Sequence, residues 1–296
     1  MRLKRSVVRR HFFFLCQKFR FMKKTSILLF ILTLILKGGV QAQNTTETID
    51  ITTQNPIGKP GWTYIWGDEF DSDTLNWSKW WPQTGTHGSE SQYYSPRSEN
   101  VFVKDGMLYL RATREKLIDT LPFTSGEVFS SIEFGHGHYI EVRCKIPKGR
   151  GLWPAFWFWS GRNKTYQEID GFEIWGDDTR RLLVSNYWQD LQTGKVHADN
   201  KRIKPKDLKG KRIDMSEHFL IFATYWDETS VRYLLNNKLV AHFKDNIATD
   251  PLPIILNLAV EGGKNQPDAN AIFPADFIID YVRVYKKQGA ETIIRH

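Results

Sequence analysis

Residues 168–173 read Glu168-Ile169-Asp170-Gly171-Phe172-Glu173, three carboxylates within six positions. The segment is short, with apolar and aromatic residues between its acids, and reads as a strand. Strand side chains alternate between faces, so Glu168 and Asp170 share one face and strict alternation sends Glu173 to the other. A β-bulge adds one residue and reverses that parity. Gly171 is the natural place for it. With a bulge at Gly171–Phe172 all three acids point the same way, and the two glutamates lean together over the sheet. The plain alternative is a solvent-facing acidic strand. Like charges on one strand face repel, and the neighbouring Trp and Phe residues do not fit a solvated surface.

Paired carboxyl groups of this kind suit hydrolysis of a glycosidic bond. One attacks the anomeric carbon and the other protonates the leaving oxygen, about 5–5.5 Å apart in the retaining mechanism. Two nearby carboxyls do not both ionise easily, so one is held protonated and serves as the acid.

Outward from this strand, short apolar or aromatic runs recur between turn signals: Met107 to Ala112, His138 to Ile146, Leu152 to Trp159, Phe219 to Trp226, Ser230 to Leu235, Ile254 to Val260 and Phe277 to Tyr285. The turns include Lys104-Asp105-Gly106, Pro147-Lys148-Gly149 and Asn236-Asn237-Lys238. Long helical periodicity is absent. The pattern predicts an all-β, antiparallel sandwich without internal repeats.

The 296-residue chain is 41% hydrophobic and 14% aromatic, with 11 Trp, enough for one large core and for stacking surfaces. The formal charge of +8 misleads, because residues 1–42 carry ten Lys or Arg and no acid. The remainder is near neutral, so no nucleic-acid partner is expected. Residues 1–42 read as a targeting segment. Lys23 and Lys24 form a charged start, Ser26 to Leu36 an apolar run too short for a comfortable span, and Val40-Gln41-Ala42 a small-residue cleavage site. Met22 reads as the true initiator. No lipidation cysteine follows the apolar run, so the expectation is a secreted or periplasmic protein without stable membrane insertion. Residues 43–60 read as a polar linker, 61–288 as the catalytic domain and 289–296 as a tail. Cys16 lies in the leader, so the expected mature chain keeps one thiol, Cys144, as a packed strand residue rather than a nucleophile. The basic run Lys201 to Arg212 reads as a solvated loop.

Several motifs in order resemble the glycoside hydrolase family 16 enzymes, which include laminarinases, lichenases, agarases and κ-carrageenases. They are Trp66-Gly67-Asp68-Glu69-Phe70, the stretch Gly149 to Trp157, Glu168 to Glu173, Ile255 to Gly263 and Asp280 to Tyr285. The resemblance covers about Trp62 to Lys286. It implies a curved β-jelly roll with an open concave cleft, with Glu168 as nucleophile, Asp170 in support and Glu173 as general acid/base. It also implies sugar-binding roles. Trp153, Trp157 and Trp159 alternate along one strand face, Trp153 being equally readable as core. Tyr166 shares the face of Glu168. Asn186 and Trp188 share a face, as polar and stacking contacts. Glu127 and Asn257 are weaker candidates. No catalytic cofactor is implied. Family members hold a structural Ca²⁺, and Asp280 with the Gly106 carbonyl matches those positions, although a plain turn or ion-pair role for Asp280 fits equally.

Two departures stand out. Laminarinases and agarases carry a His where this chain reads Asn186-Tyr187, and lichenases carry an Arg after the turn that here reads Ser125-Gly126-Glu127. The bulged spacing is that of the laminarinase, agarase and carrageenase branch. The expected substrate is a β-1,3- or mixed-linked β-glucan, with an algal galactan (of agarase, porphyranase or carrageenase type) as the alternative. A monomeric endo-acting enzyme is expected. A non-catalytic carbohydrate-binding jelly roll is the reading from another class, and a transglycosylase would use the same chemistry.

Overall fold

The computed structural model describes residues 48–52, 57–118, 120–161, 164–288 and 294–295. The expected leader, residues 1–42, lies outside them. In chain order the first strands are β1 (Thr48–Ile49), β2 (Trp62–Asp68), β3 (Trp80–Pro82), β4 (Gln92–Tyr94), β5 (Val101–Lys104), β6 (Met107–Ala112) and β7 (Phe123–Ser125). Next come β8 (Glu127–Phe134), β9 (His138–Lys145), β10 (Leu152–Trp159), β11 (Gln167–Glu173), β12 (Leu182–Gln189), β13 (Val196–Ile203) and β14 (Lys206–Asp207). The last are β15 (Leu220–Trp226), β16 (Ser230–Leu235), β17 (Lys238–Lys244), β18 (Leu252–Val260), β19 (Ala275–Lys287) and β20 (Ile294–Arg295). No α-helix occurs among the described residues.

Two eight-stranded antiparallel sheets form the body. One runs β13-β12-β11-β10-β18-β8-β20, with β3 also on β8. The other runs β17-β16-β15-β9-β19-β6-β5, with β2 also on β19. Each strand turns alternate side chains inward. From the first sheet Phe172 meets Phe222 of β15 at 4.3 Å and Phe277 of β19 at 6.0 Å, and Phe158 meets Trp226 at 5.1 Å. The Tyr233 hydroxyl donates across the layers to the Ser185 carbonyl at 2.6 Å. Each such buried aromatic stabilises the sandwich by about 1.5–3 kcal/mol.

The turn chemistry follows the residues. Asp105 and Gly106 (φ 53° and 70°) close the β5–β6 hairpin, and Asn236 and Asn237 (φ 45° and 65°) close β16–β17. Consecutive positive φ values match the twist of a two-residue hairpin and favour Asn, Asp and Gly. The Trp66–Phe70 motif is structural. Asp68 accepts from the buried Trp80 indole at 2.9 Å. Glu69 takes a bidentate pair of 2.8 Å bonds from Arg283, whose guanidinium lies 3.6 Å over the Tyr281 ring. Two motifs distant in sequence thus join β2 to β19.

Three expectations are corrected. The polar segment 43–60 is more than a linker, because Thr48–Ile49 pairs with Lys206–Asp207 and Ile49 is fully buried. The tail at 289–296 contains Ile294–Arg295, paired with Phe134 and Glu133. The basic run 201–212 is solvated, yet its first residues belong to strand β13. Its cross-strand bonds to β12 supply an order that charge alone does not reveal. Cys144 is buried on β9.

Candidate active site

The ladder slips by one residue inside β11. Asp170 pairs with Ser185 but Glu173 pairs with Leu183, and on the other side Trp157 pairs with Asp170 while Phe156 pairs with Phe172. Gly171 is the extra residue. A Cβ there would lie 2.6 Å from Phe156 Cδ1 and 2.9 Å from Thr224 Oγ1. Gly171 and Phe172 therefore both face the core, and only a residue without a side chain fits beside Phe156. The parity reverses, and Glu168, Asp170 and Glu173 line one pocket with Trp153, Ala155, Trp157, Asn257, His87 and Glu90.

Strand β10 builds the floor. Ala155, Trp157 and Trp159 pair with Glu173, Asp170 and Glu168 and share their face. The Trp157 and Trp159 rings lie nearly parallel at 6.3 Å, and Trp153 stacks on Trp175 at 5.5 Å. Trp153 lines the pocket rather than the core. The Trp157 indole donates to Asn257 Oδ1 at 2.9 Å, and Asn257 Nδ2 donates to the Tyr94 hydroxyl at 2.8 Å. Glu127 pairs across from Asn257 on β8, is fully buried, and meets His87 Nε2 at 2.8 Å. Glu127 thus backs the pocket through His87.

Strand β12 departs from expectation. Glu168 stands opposite Tyr187 and Asp170 opposite Ser185, so those two residues share the acid face. Asn186 pairs with Ile169 and is buried on the other side, where its amide donates to the Asn246 carbonyl at 3.3 Å. Trp188 pairs with Gln167 and stacks on His197 at 5.7 Å, in a separate groove with Gln189, Asp190 and Thr249. Asn186 and Trp188 are therefore not beside the carboxylates. Alternation relates residues within a strand, but the pairing register decides which set faces the acids. Tyr187, Ser185, His87 and Glu90 are the pocket neighbours that sequence reasoning missed.

Burial dominates the electrostatics. It pushes the Glu173 carboxyl up to about 7, helped by the charge of Glu168, while the Trp153 indole and Asp170 pull the other way. Burial also raises Asp170 well above the usual range, with Glu173 and Glu168 adding to it and Ser185 opposing. Glu168 is raised by burial and pulled back by hydrogen bonds from Tyr166, whose hydroxyl donates to Oε2, and from Asp170. Tyr187 is pushed up to about 12 by burial and by the three acids, so it is neutral in this setting. The three carboxyls share protons as one group.

Asp280, expected beside the Gly106 carbonyl at a structural calcium, has another partner in this structure. Ile279 pairs with Leu108, which brings Asp280 to the end of the β6 ladder near the Asp105-Gly106 turn. The Asp280 carboxylate, however, is taken by the Arg143 guanidinium. Among the described residues no three His, Cys, Asp or Glu side chains gather as a metal centre. A cation at Asp280 would have to displace Arg143. The carboxylate chemistry needs no cofactor.

A family model, glycosyl hydrolases family 16, matches residues 68–281. The chain belongs to this family and is a glycoside hydrolase. It is similar to the Beta-glucanase of Rhodothermus marinus, 30% identical over 254 residues that span 77% of this chain and 86% of that protein. It is 28% identical to Glucan endo-1,3-beta-glucosidase A1 of Niallia circulans across 82% of this chain, but spans only 40% of that protein. Its fold is similar to that of the laminarinase catalytic domain from Thermotoga maritima, with a TM-score of 0.65 and 29% identity over 77% of this chain and 99% of that one. The jelly-roll architecture is shared with these laminarinases.

Proposed function

We propose that the protein is a retaining endo-β-glycanase that cleaves β-1,3- or mixed-linked β-1,3-1,4-glucans by double displacement. The observation that carries this reading is the one-residue slip at Gly171, which gathers Glu168, Asp170 and Glu173 in one pocket. Glu168 attacks the anomeric carbon while Glu173 protonates the departing oxygen; Glu173 then takes a proton from the water that releases the sugar. Its raised pKa supports the acid role, because the group still holds its proton near neutrality. The Trp157 and Trp159 faces offer platforms for sugar rings. The glucanase names of the relatives support the substrate class.

The test is incubation with laminarin, lichenan, agarose and carrageenan, followed by reducing-end release. Cleavage of laminarin or lichenan, lost in Glu168→Ser and Glu173→Gln, supports the reading. Release from no β-glucan overturns the substrate, and full activity in both variants overturns the assignment of the acids.

We also propose export of the protein, supported by the charged, apolar and small-residue order of residues 22–42. No helix among the described residues is long and apolar enough to cross a membrane. N-terminal sequencing of the mature protein tests this. A monomer is the expected form in solution, checked by sedimentation.

A further inference from the structure

The family resemblance implies a sugar-binding role for Tyr166, which precedes β11, but its hydroxyl does something more specific. It donates a hydrogen bond to Glu168 Oε2. Glu173 has the Trp153 indole and Asp170 as neighbours instead. The Tyr166 backbone is clamped from both sides: its N–H donates to Gln189 Oε1 at 3.2 Å, and the Gln189 N–H donates to its carbonyl at 3.0 Å. Its ring meets the Tyr187 ring edge-on at 6.5 Å. The phenol is therefore aimed by the backbone and by a neighbouring ring, and it distinguishes one glutamate from the other.

We propose that Tyr166 is a positioning residue that holds Glu168 as the carboxylate and binds its Oε2 while the other oxygen makes and breaks the bond to the anomeric carbon. This rests on the nucleophile reading of Glu168 above. In the first step Glu168 Oε1 bonds to the anomeric carbon, the bond to the leaving sugar oxygen breaks with its electron pair, and Glu173 supplies that oxygen's proton. In the second, water oxygen bonds to the same carbon, its proton passes to Glu173, and the electron pair of the carbon–Oε1 bond returns to Glu168. Between the steps Oε2 is the neutral carbonyl oxygen of an ester. A hydroxyl bonds a carboxylate more strongly than an ester oxygen, so Tyr166 favours the step that restores the charge.

The groups facing Glu168 are few. Its own strand supplies Asp170 and Glu173, and the residue just before that strand supplies Tyr166. Tyr187 faces it from β12, β10 brings the uncharged Trp157 and Trp159, and His87 and Glu90 line the same pocket. Burial and the charge of Glu168 push the Tyr166 phenol far above its ordinary range, so it remains a donor throughout the working pH window.

The test is Tyr166→Phe, which keeps the ring. With an aryl β-glucan oligosaccharide bearing a dinitrophenolate leaving group, release of the sugar from the enzyme limits turnover. The expected result is a burst of dinitrophenol followed by a steady rate about ten- to a hundredfold below wild type, the worth of one hydrogen bond to a charged group. The acidic limb of the pH profile moves to higher pH, and the thermal midpoint holds. A raised KM with unchanged kcat and acidic limb overturns the proposal and leaves Tyr166 as a stacking residue. A readout that needs no substrate is the carbon-13 carboxyl titration of Glu168, assigned by its loss in Glu168→Gln. Its midpoint rises in Tyr166→Phe, and an unmoved midpoint overturns the proposal. Activity retained in Glu168→Ser overturns the nucleophile reading instead, and the titration still reports on the hydrogen bond.

Discussion

Glu168 and Tyr187 stand directly opposite each other across β11 and β12. Cross-strand partners share a face, so Tyr187 belongs to the acid pocket and its sequence neighbour Trp188 does not. Tyr187→Ala is expected to lower kcat/KM on laminarin about tenfold or more, the scale of losing one polar contact and its packing. Trp188→Ala is expected to leave kcat unchanged. Steady-state kinetics of the two variants checks the pair, and the opposite ranking would place Trp188 in the cleft.

Gly171→Ala should be harmful out of proportion to its size. The added methyl meets Phe156 at 2.6 and 2.7 Å, so the ring or the bulge has to move. Overpacking of this kind costs about 1–3 kcal/mol. Activity should fall further than stability, because the relief reorients Glu173. Chemical denaturation alongside kcat measurement separates the two effects.

Activity should follow a bell-shaped pH profile. The alkaline limb is expected near pH 7, where Glu173 loses its proton. Stability carries the same signature. The folded state raises this carboxyl from 4.5 to about 7, so it binds more protons than the unfolded chain within that window. Stability therefore falls as pH rises through it. Glu173→Gln should raise the thermal midpoint at pH 8 and change it little at pH 4. Calorimetry at the two pH values decides, and an equal shift at both would remove the titration as its cause.

The Trp157–Asn257–Tyr94 chain predicts a linked loss. Asn257→Ala leaves the Trp157 indole and the Tyr94 hydroxyl without their 2.9 and 2.8 Å partner. Tyr94 keeps its hydrogen bond to Glu90, and the Trp157 indole left unpaired costs about 1–3 kcal/mol. Stability should drop by that order and KM should rise as Trp157 loosens. Asn257→Asp, which can still accept from Trp157, should retain more of the affinity.

Asp214 gives the reverse pH behaviour. Burial disfavours its charge, but hydrogen bonds from Ser216, Thr179 and Lys148 outweigh this and hold the carboxyl well below its usual range. Its contribution is present above the unfolded value of 3.8 and is lost as pH falls toward the folded one. Asp214→Asn should flatten the loss of stability below pH 4, as read by urea melts. A steeper acid loss in the variant would contradict this.

Much of this architecture is legible residue by residue. The runs Met107 to Ala112, Leu152 to Trp159 and Ser230 to Leu235 coincide with β6, β10 and β16 because alternating burial and hairpin residues bound them. The slip at Gly171 is legible because three acids and a glycine leave few compatible geometries. What escapes is whatever depends on a distant partner. Alternation and the family resemblance group Asn186 with Trp188, while the register with β11 sets which face they take. His87 and Glu90 reach the pocket from an irregular stretch before β4, which has no period to read. Ile49 becomes a strand residue through β14, more than 150 positions away.

The clasp between Glu69 and Arg283 spans 214 residues, and the strand carrying Arg283 lies between β9 and β6 in the middle of its sheet. Native pairing there waits until Arg283 has been synthesised. Assembly dominated by such remote partners is slow. A chain emerging from the ribosome therefore cannot close this sheet around β19 until its early and late strands are both available, long after the residues of β2 have been made.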